Sequence, residues 1–244
     1  MGHENWEAIK KVRVTNPPIN GILLDETEPP KASCTGCIAG KTKRCMFKTA
    51  ASRDTRTNCP VEQIHSDLMG PMEVQSIGGA SYCCVFTDDK TSFVWVYFLK
   101  SKDQTFGKFR EFKAMAENPS RRKIKFFHSD HGGEFLSNEF SEYLMEHGIV
   151  QETSAPHTPQ QNGVAEQMNQ TLLRSARAMW EHSGMSKGFW AEAMGSAAHI
   201  LNRIPRRGLD WRTPFVMDMV IFRTIFLELL VFFMFTLLIL HFAY

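Results

Sequence analysis

The stretch KIKFFHSDHGG, residues 123–133, reads as a strand that stops at a Gly-Gly turn, with Asp130 at the junction. Working upstream, residues 61–69 alternate, with Ile64, Ser66 and Leu68 on one face and His65 and Asp67 on the other, the period of a strand. Residues 81–87 and 93–99 are β-branched and aromatic runs separated by DDKTS, which predicts a hairpin. Between hairpin and strand, Phe106, Phe109, Phe112, Met115 and Ala116 recur at helical spacing over 102–117. Downstream, 134–147 reads as a helix and 149–152 as a short strand. Thr158 and Pro159 then supply an N-cap and a proline at the first helical position. The helix after them carries Val164, Met168, Leu172, Ala176, Met179 and Trp180 as its apolar stripe, and a last helix covers 187–202. Three strands, a helix, a strand, a helix, a strand and two helices predict a mixed α/β domain with five strands.

Composition agrees with a folded domain. Of 244 residues 43% are hydrophobic and 22% charged, which excludes wholesale disorder and fibrous repeats. The net charge of +2 announces no polyanion partner by itself. The average conceals local excess, because residues 31–58 hold seven Lys/Arg and one acid, Asp54. The six cysteines do not read as a disulfide framework. The N-terminus MGHENWEAIKK has no apolar leader, and Cys83 and Cys84 are adjacent inside a strand-like run. A reducing compartment is expected, with Cys34 and Cys37 read as metal ligands, as a surface turn or as a redox pair.

Three carboxylates stand where chemistry can use them. Asp67 lies in the first strand, Asp130 follows the fourth at its glycine turn, and Glu166 sits early in the Thr158-capped helix. Glu166 is two positions from Val164, about 200° around a helix, so it points off the apolar stripe. It shares a polar face with Asn162, Gln170, Arg174 and Arg177. Carboxylates drawn from two strands and a helix suit hard divalent cations. Taken singly, each acid is equally well read as a solvated side chain.

The motifs IHSDLMGPMEVQSIGGASY, FTDDKTSFVWVYFLKSK, IKFFHSDHGGEF and APHTPQQNGVAEQMNQTL resemble the integrase of copia-type retrotransposons, as does GFWAEAMGSAAHILNRIP followed by RTPF. The resemblance covers residues 1 to about 217. The thirty-five residues between Asp130 and Glu166 match the spacing of the DDE integrases. The resemblance implies a ribonuclease-H-like fold in which Asp67, Asp130 and Glu166 are catalytic and bind two Mg²⁺ or Mn²⁺ ions. The implied activity is polynucleotidyl transfer, joining element cDNA 3′ ends to target DNA, with Gln161, Asn162, Gln170 and Arg174 as DNA contacts. It further implies a homo-oligomer acting on DNA, in the nucleus or a cytoplasmic particle. The alternative is a catalytically silent transposon remnant that acts at most as a DNA-binding module.

By the same resemblance, residues 1–60 are a degenerate zinc-binding segment. Cys34 and Cys37 match its cysteine pair and His3 its second histidine, leaving one ligand of the usual four unmatched. Gln167 and Gln170 stand where the family usually has Arg, and His131 where it commonly has Asn. The catalytic core is expected over 61–217 and an apolar tail over 218–244. Residues 221–244 hold 19 apolar residues and two charges, Arg223 and Glu228. That length suits a transmembrane helix, and the composition equally suits an out-of-frame extension.

Overall fold

The computed structural model describes residue 57 and residues 59–130, 132–153 and 163–217. Outside the described residues lie His3, Cys34 and Cys37, His131, Gln161 and Asn162, the Thr158 cap and the 218–244 tail.

Five strands form one sheet: β1 (Gln63–Met69), β2 (Tyr82–Asp88), β3 (Val94–Leu99), β4 (Phe126–Ser129) and β5 (Val150–Thr153), in the order β3-β2-β1-β4-β5. The first three run antiparallel, while β4 and β5 pair parallel to β1 and to each other. The helices are α1 (Gln104–Ser120), α2 (Asn138–Glu146), α3 (Gly163–Ser183), α4 (Trp190–Arg203) and the single turn α5 (Pro214–Met217).

The pleat sorts alternate residues of β2 to opposite faces. Cys84 and Phe86 join Ile64, Phe127, Phe109, Phe112, Phe140 and Leu144 in an aromatic core beneath α1 and α2. Cys83 and Val85 join Met168, Leu172, Trp190, Met194 and Leu201 beneath α3 and α4. The adjacent cysteines are therefore two buried free thiols on opposite sides of one strand, as a strand-core reading requires. Burial pushes the Cys84 thiol up to about 12, so it packs as a small apolar group.

The expected elements are present with moved ends. The helix expected over 134–147 begins at Asn138, because Ser137 is extended and its Oγ accepts the Phe140 N–H as an N-cap. The 102–117 helix runs over Gln104–Ser120. The 187–202 helix opens with a 3-10 turn, Lys187–Phe189, before α4.

Two buried polar clamps fix the layers. Glu117 of α1 accepts from Lys113 Nζ and Lys123 Nζ at 3.0 and 2.8 Å, and from the Ile124 N–H at 3.0 Å, tying the helix to the approach of β4. Burial alone would raise its pKa, but the hydrogen bonds from Lys123, Ile124 and Lys113 outweigh it and hold the carboxyl below its usual range. On the other face, Asn202 of α4 donates to Val94 O and accepts from Val94 N, both at 2.8 Å. Its amide thus continues the hydrogen bonding of β3, the strand at that edge of the sheet. Among the described residues no helix is long and apolar enough to cross a membrane.

Candidate active site

The parallel pairing of β1 with β4 sets His65 opposite His128. Two residues further on, Asp67 lies in β1 and Asp130 follows the end of β4, so the two acids leave neighbouring strands on one face of the sheet. Asp67 is opposite Val85, whose side chain belongs to the core under α3 and α4. The acids therefore face α3, and Glu166 stands in the first turn of that helix.

Electrostatics tie the three together. Burial is the main reason that the Asp67 carboxyl is raised above its ordinary value, and the neighbouring charges of Asp130 and Glu166 add to it. Hydrogen bonds from Asn169 and from the Leu68 N–H offset part of this without reversing it. Asp67 Oδ2 accepts from Asn169 Nδ2 at 2.6 Å and Oδ1 from Leu68 N at 2.9 Å. Each oxygen keeps a further lone pair.

Asp130 is set by its turn. Its Oδ1 accepts the Gly132 N–H at 3.0 Å. A Cβ at Gly132 would lie 2.8 Å from the Glu134 carboxyl and 3.0 Å from Asp130 Oδ1, so a side chain there would displace those two carboxylates. Glu166 is exposed on the solvent side of α3. Among the described residues, no three His, Cys, Asp or Glu side chains are gathered closely enough to hold a metal ion as they stand.

Of the expected DNA contacts, Gln170 and Arg174 are half-buried on α3, one turn apart, and Arg174 Nη2 donates to Gln170 Oε1 at 3.1 Å. They engage each other rather than the carboxylates.

Several polar residues of the site do not emerge from sequence reasoning. Asn169 is buried, and its Oδ1 has no hydrogen-bond partner among the described residues. It sits three positions after Glu166, so extending the acid's helical face to amides would have found it. Below the acids, His65 Nε2 is 3.2 Å from Asp89 Oδ1, and the His65 and His128 rings are 5.3 Å apart. The His65–Asp67 alternation on β1 was the available signal. Glu134 has a buried carboxyl 3.6 Å from Lys102 Nζ.

A model of the integrase core domain matches residues 57–159. The retrovirus-related Pol polyprotein from transposon TNT 1-94 of Nicotiana tabacum is 42% identical over 181 residues, 74% of this chain and 13% of that protein. The Pol polyprotein from transposon RE1 of Arabidopsis thaliana is 31% identical over 218 residues, 87% of this chain and 14% of its own length. The chain belongs to the integrase cores of copia-type retrotransposon Pol polyproteins.

This integrase core spans only about one-seventh of the length of those relatives. Its fold is the mixed five-stranded ribonuclease-H-like sheet flanked by helices. A simian T-cell lymphotropic virus intasome in complex with PP2A regulatory subunit B56 gamma superposes with a TM-score of 0.56 at 15% identity, covering 76% of this chain and 63% of that one. The HTLV-2 integrase catalytic core domain in complex with magnesium superposes at 0.51 and 17%, covering 67% and 99%.

Proposed function

We propose that this integrase core is a DDE-type polynucleotidyl transferase joining element cDNA 3′ ends to target DNA, with Asp67, Asp130 and Glu166 as its catalytic carboxylates. The observation that carries this reading is the β1–β4 register that sets Asp67 beside Asp130, with the charges of Asp130 and Glu166 both acting on the Asp67 carboxyl. An all-oxygen donor set bearing excess negative charge fits hard divalent cations, and the HTLV-2 core was solved with magnesium. Bound there, two Mg²⁺ or Mn²⁺ ions would activate the attacking hydroxyl and stabilise the departing oxygen.

The chain's own groups do the positioning. Asn169 fixes the Asp67 carboxylate from α3, and the Gly132 N–H fixes Asp130 from its turn. Exposed Glu166 completes the set from the helix. The 3′-hydroxyl oxygen attacks the target phosphorus in line and gives up its proton to solvent, the phosphodiester bond to the target 3′ oxygen breaks, and that oxygen takes a proton from solvent. Neither a Ser nor a Cys nucleophile is needed, in keeping with the buried, inert Cys83 and Cys84.

Around this core, residues 1–60 are read as the zinc-binding segment through His3, Cys34 and Cys37, residues 61–217 as the catalytic unit, and 218–244 as an added apolar tail. Gln161, Asn162, Gln170 and Arg174 are assigned to DNA, and the acting form to a homo-oligomer. The competing reading is a catalytically silent transposon remnant that acts at most as a DNA-binding module.

The test is strand transfer by the purified chain on a cDNA-end mimic with Mg²⁺ or Mn²⁺. Product from the parent chain and none from Asp130→Asn supports the transferase. Equal absence of product in both leaves the remnant reading.

A further inference from the structure

On the α3–α4 side of the molecule, a groove opens between the β1–β2 connection and the two helices, with a cavity of about 150 Å³. Leu173, Trp180, Trp190 and Met194 line it, with Val74 on the strand-connection side. Both indole N–H groups are already used, Trp180 Nε1 on Met185 O at 2.6 Å and Trp190 Nε1 on Val74 O at 2.9 Å. The rings therefore offer the groove apolar surface only. Val74 and Ile77 extend this surface outward and are 41% and 62% exposed. At the rim stand two exposed cations, Arg177 and Lys187. Among the described residues Lys187 pairs only with the exposed Glu73, at 2.7 Å, an ion pair weak enough to exchange partners. Aromatic residues, methionine and arginine around a small apolar pocket are the composition of a protein-binding hot spot.

The same chain carries the complementary surface. On α2, Met145 is 74% exposed, the most exposed of the large apolar side chains among the described residues, and Glu142 and Glu146 flank it, both exposed. Neither glutamate makes an ion pair among the described residues. Val150, at the start of β5, adds a second exposed apolar group close by in the fold.

The two surfaces lie on opposite layers. α2 packs through Phe140 and Leu144 into the core beneath α1, whereas the groove is built on Trp190 and Met194 of the other core. One molecule cannot fold its own α2 onto its own groove.

We propose that the groove receives α2 of a second copy of this chain, with Met145 entering between the two tryptophans and Glu142 and Glu146 meeting Arg177 and Lys187. This deepens the homo-oligomer assigned above by giving it a surface, and it needs no step of the reaction. Because two different patches meet, a pair of copies makes two such contacts only about a twofold axis; otherwise the assembly runs head to tail.

The experiment measures the mass of the full chain by sedimentation against concentration. Glu142→Lys with Glu146→Lys, and separately Arg177→Glu with Lys187→Glu, each weaken self-association by at least about tenfold. Mixing the two double variants in equal amounts restores it, since each then offers the other a surface of opposite charge. Met145→Asp weakens association to a similar degree while circular dichroism stays that of the parent. A chain that remains monomeric overturns both this contact and the oligomer. Association insensitive to all three variants overturns this contact alone and assigns assembly elsewhere, such as the apolar tail. A groove variant that loses single-stranded DNA binding yet associates like the parent gives the groove to nucleic acid and also overturns the proposal.

Discussion

Asn169 of α3 donates to Asp67 of β1 at 2.6 Å, across 102 positions of sequence, and so links the helix that bears Glu166 to a strand that bears an acid. Groups that orient metal-binding carboxylates typically matter by about 10–100-fold in metal affinity or activity. Asn169→Ala is expected to lose strand transfer by that order and to need more Mg²⁺ for half-maximal rate, with the fold unchanged. Asn169→Asp should be worse, because it adds a fourth negative charge to the cluster. A fully active Asn169→Ala would remove Asn169 from the site.

Asp67 conflicts with the fold. The raised pKa of Asp67 means that the folded state favours its protonated form. The penalty is absent below the unfolded value of about 3.9, grows as pH rises from there, and is complete above the raised folded value. Asp67→Asn is therefore expected to abolish transfer and yet melt higher than the parent at pH 7 in chelator, with little difference at pH 3. For a domain of this size each 1 kcal/mol gained corresponds to about 2–4 °C. Added Mg²⁺ should raise the melting temperature of the parent and not of the variant.

How far the sequence discloses this site depends on the range of the interactions. Period-two alternation placed β1 and the apolar spacing of Phe106, Phe109 and Phe112 placed α1, because each pattern records burial on one local face, whereas β2 was read from its run of β-branched and aromatic residues. Helix ends were less legible. Glu134 has helical propensity, but the turn at Gly132 and the Ser137 cap start α2 at Asn138. Asp67, Asp130 and Glu166 stood out as candidate carboxylates and gained a proposed role only through motif resemblance, and only the strand register brings Asp67 and Asp130 to one face. Asn169–Asp67, His65–Asp89 and Asn202–Val94 pair residues 102, 24 and 108 positions apart, and no local pattern marks a partner at such distances.

Asn202 is the clearest structural counterpart. Its two hydrogen bonds satisfy both backbone groups of Val94, and the amide is buried. Asn202→Leu leaves a buried N–H and a buried C=O unmet, at about 1–3 kcal/mol each. The urea midpoint is expected to fall substantially without change in the denaturant slope. Asn202→Asp keeps the acceptor, loses the donor and buries a charge, so it should be destabilising at pH 7 and milder in acid. A midpoint unchanged in Asn202→Leu would mean that water replaces the amide at this edge.

The acid sensitivity of the fold should have a component from α4. His199 is held down to about 4, first by burial and then by the positive charge of Arg203. Arg203 is itself lowered to about 10 by burial, and its guanidinium lies 4.3 Å from the centre of the Phe215 ring. In the unfolded chain the imidazole titrates near 6.5. Between those values the unfolded state binds a proton that the folded state refuses, so stability rises with pH across that window. The contribution is complete above about 6.5 and is lost as pH falls towards 4. His199→Gln removes the titrating group while keeping a polar side chain of comparable length. Urea unfolding at a series of pH values from 7.5 to about 4.5 should give a parent midpoint that declines steadily and a His199→Gln midpoint that declines less. Parallel declines in the two proteins would assign the acid sensitivity to other groups, with Glu117, whose clamp loosens only below its own depressed value, giving a distinct step at lower pH.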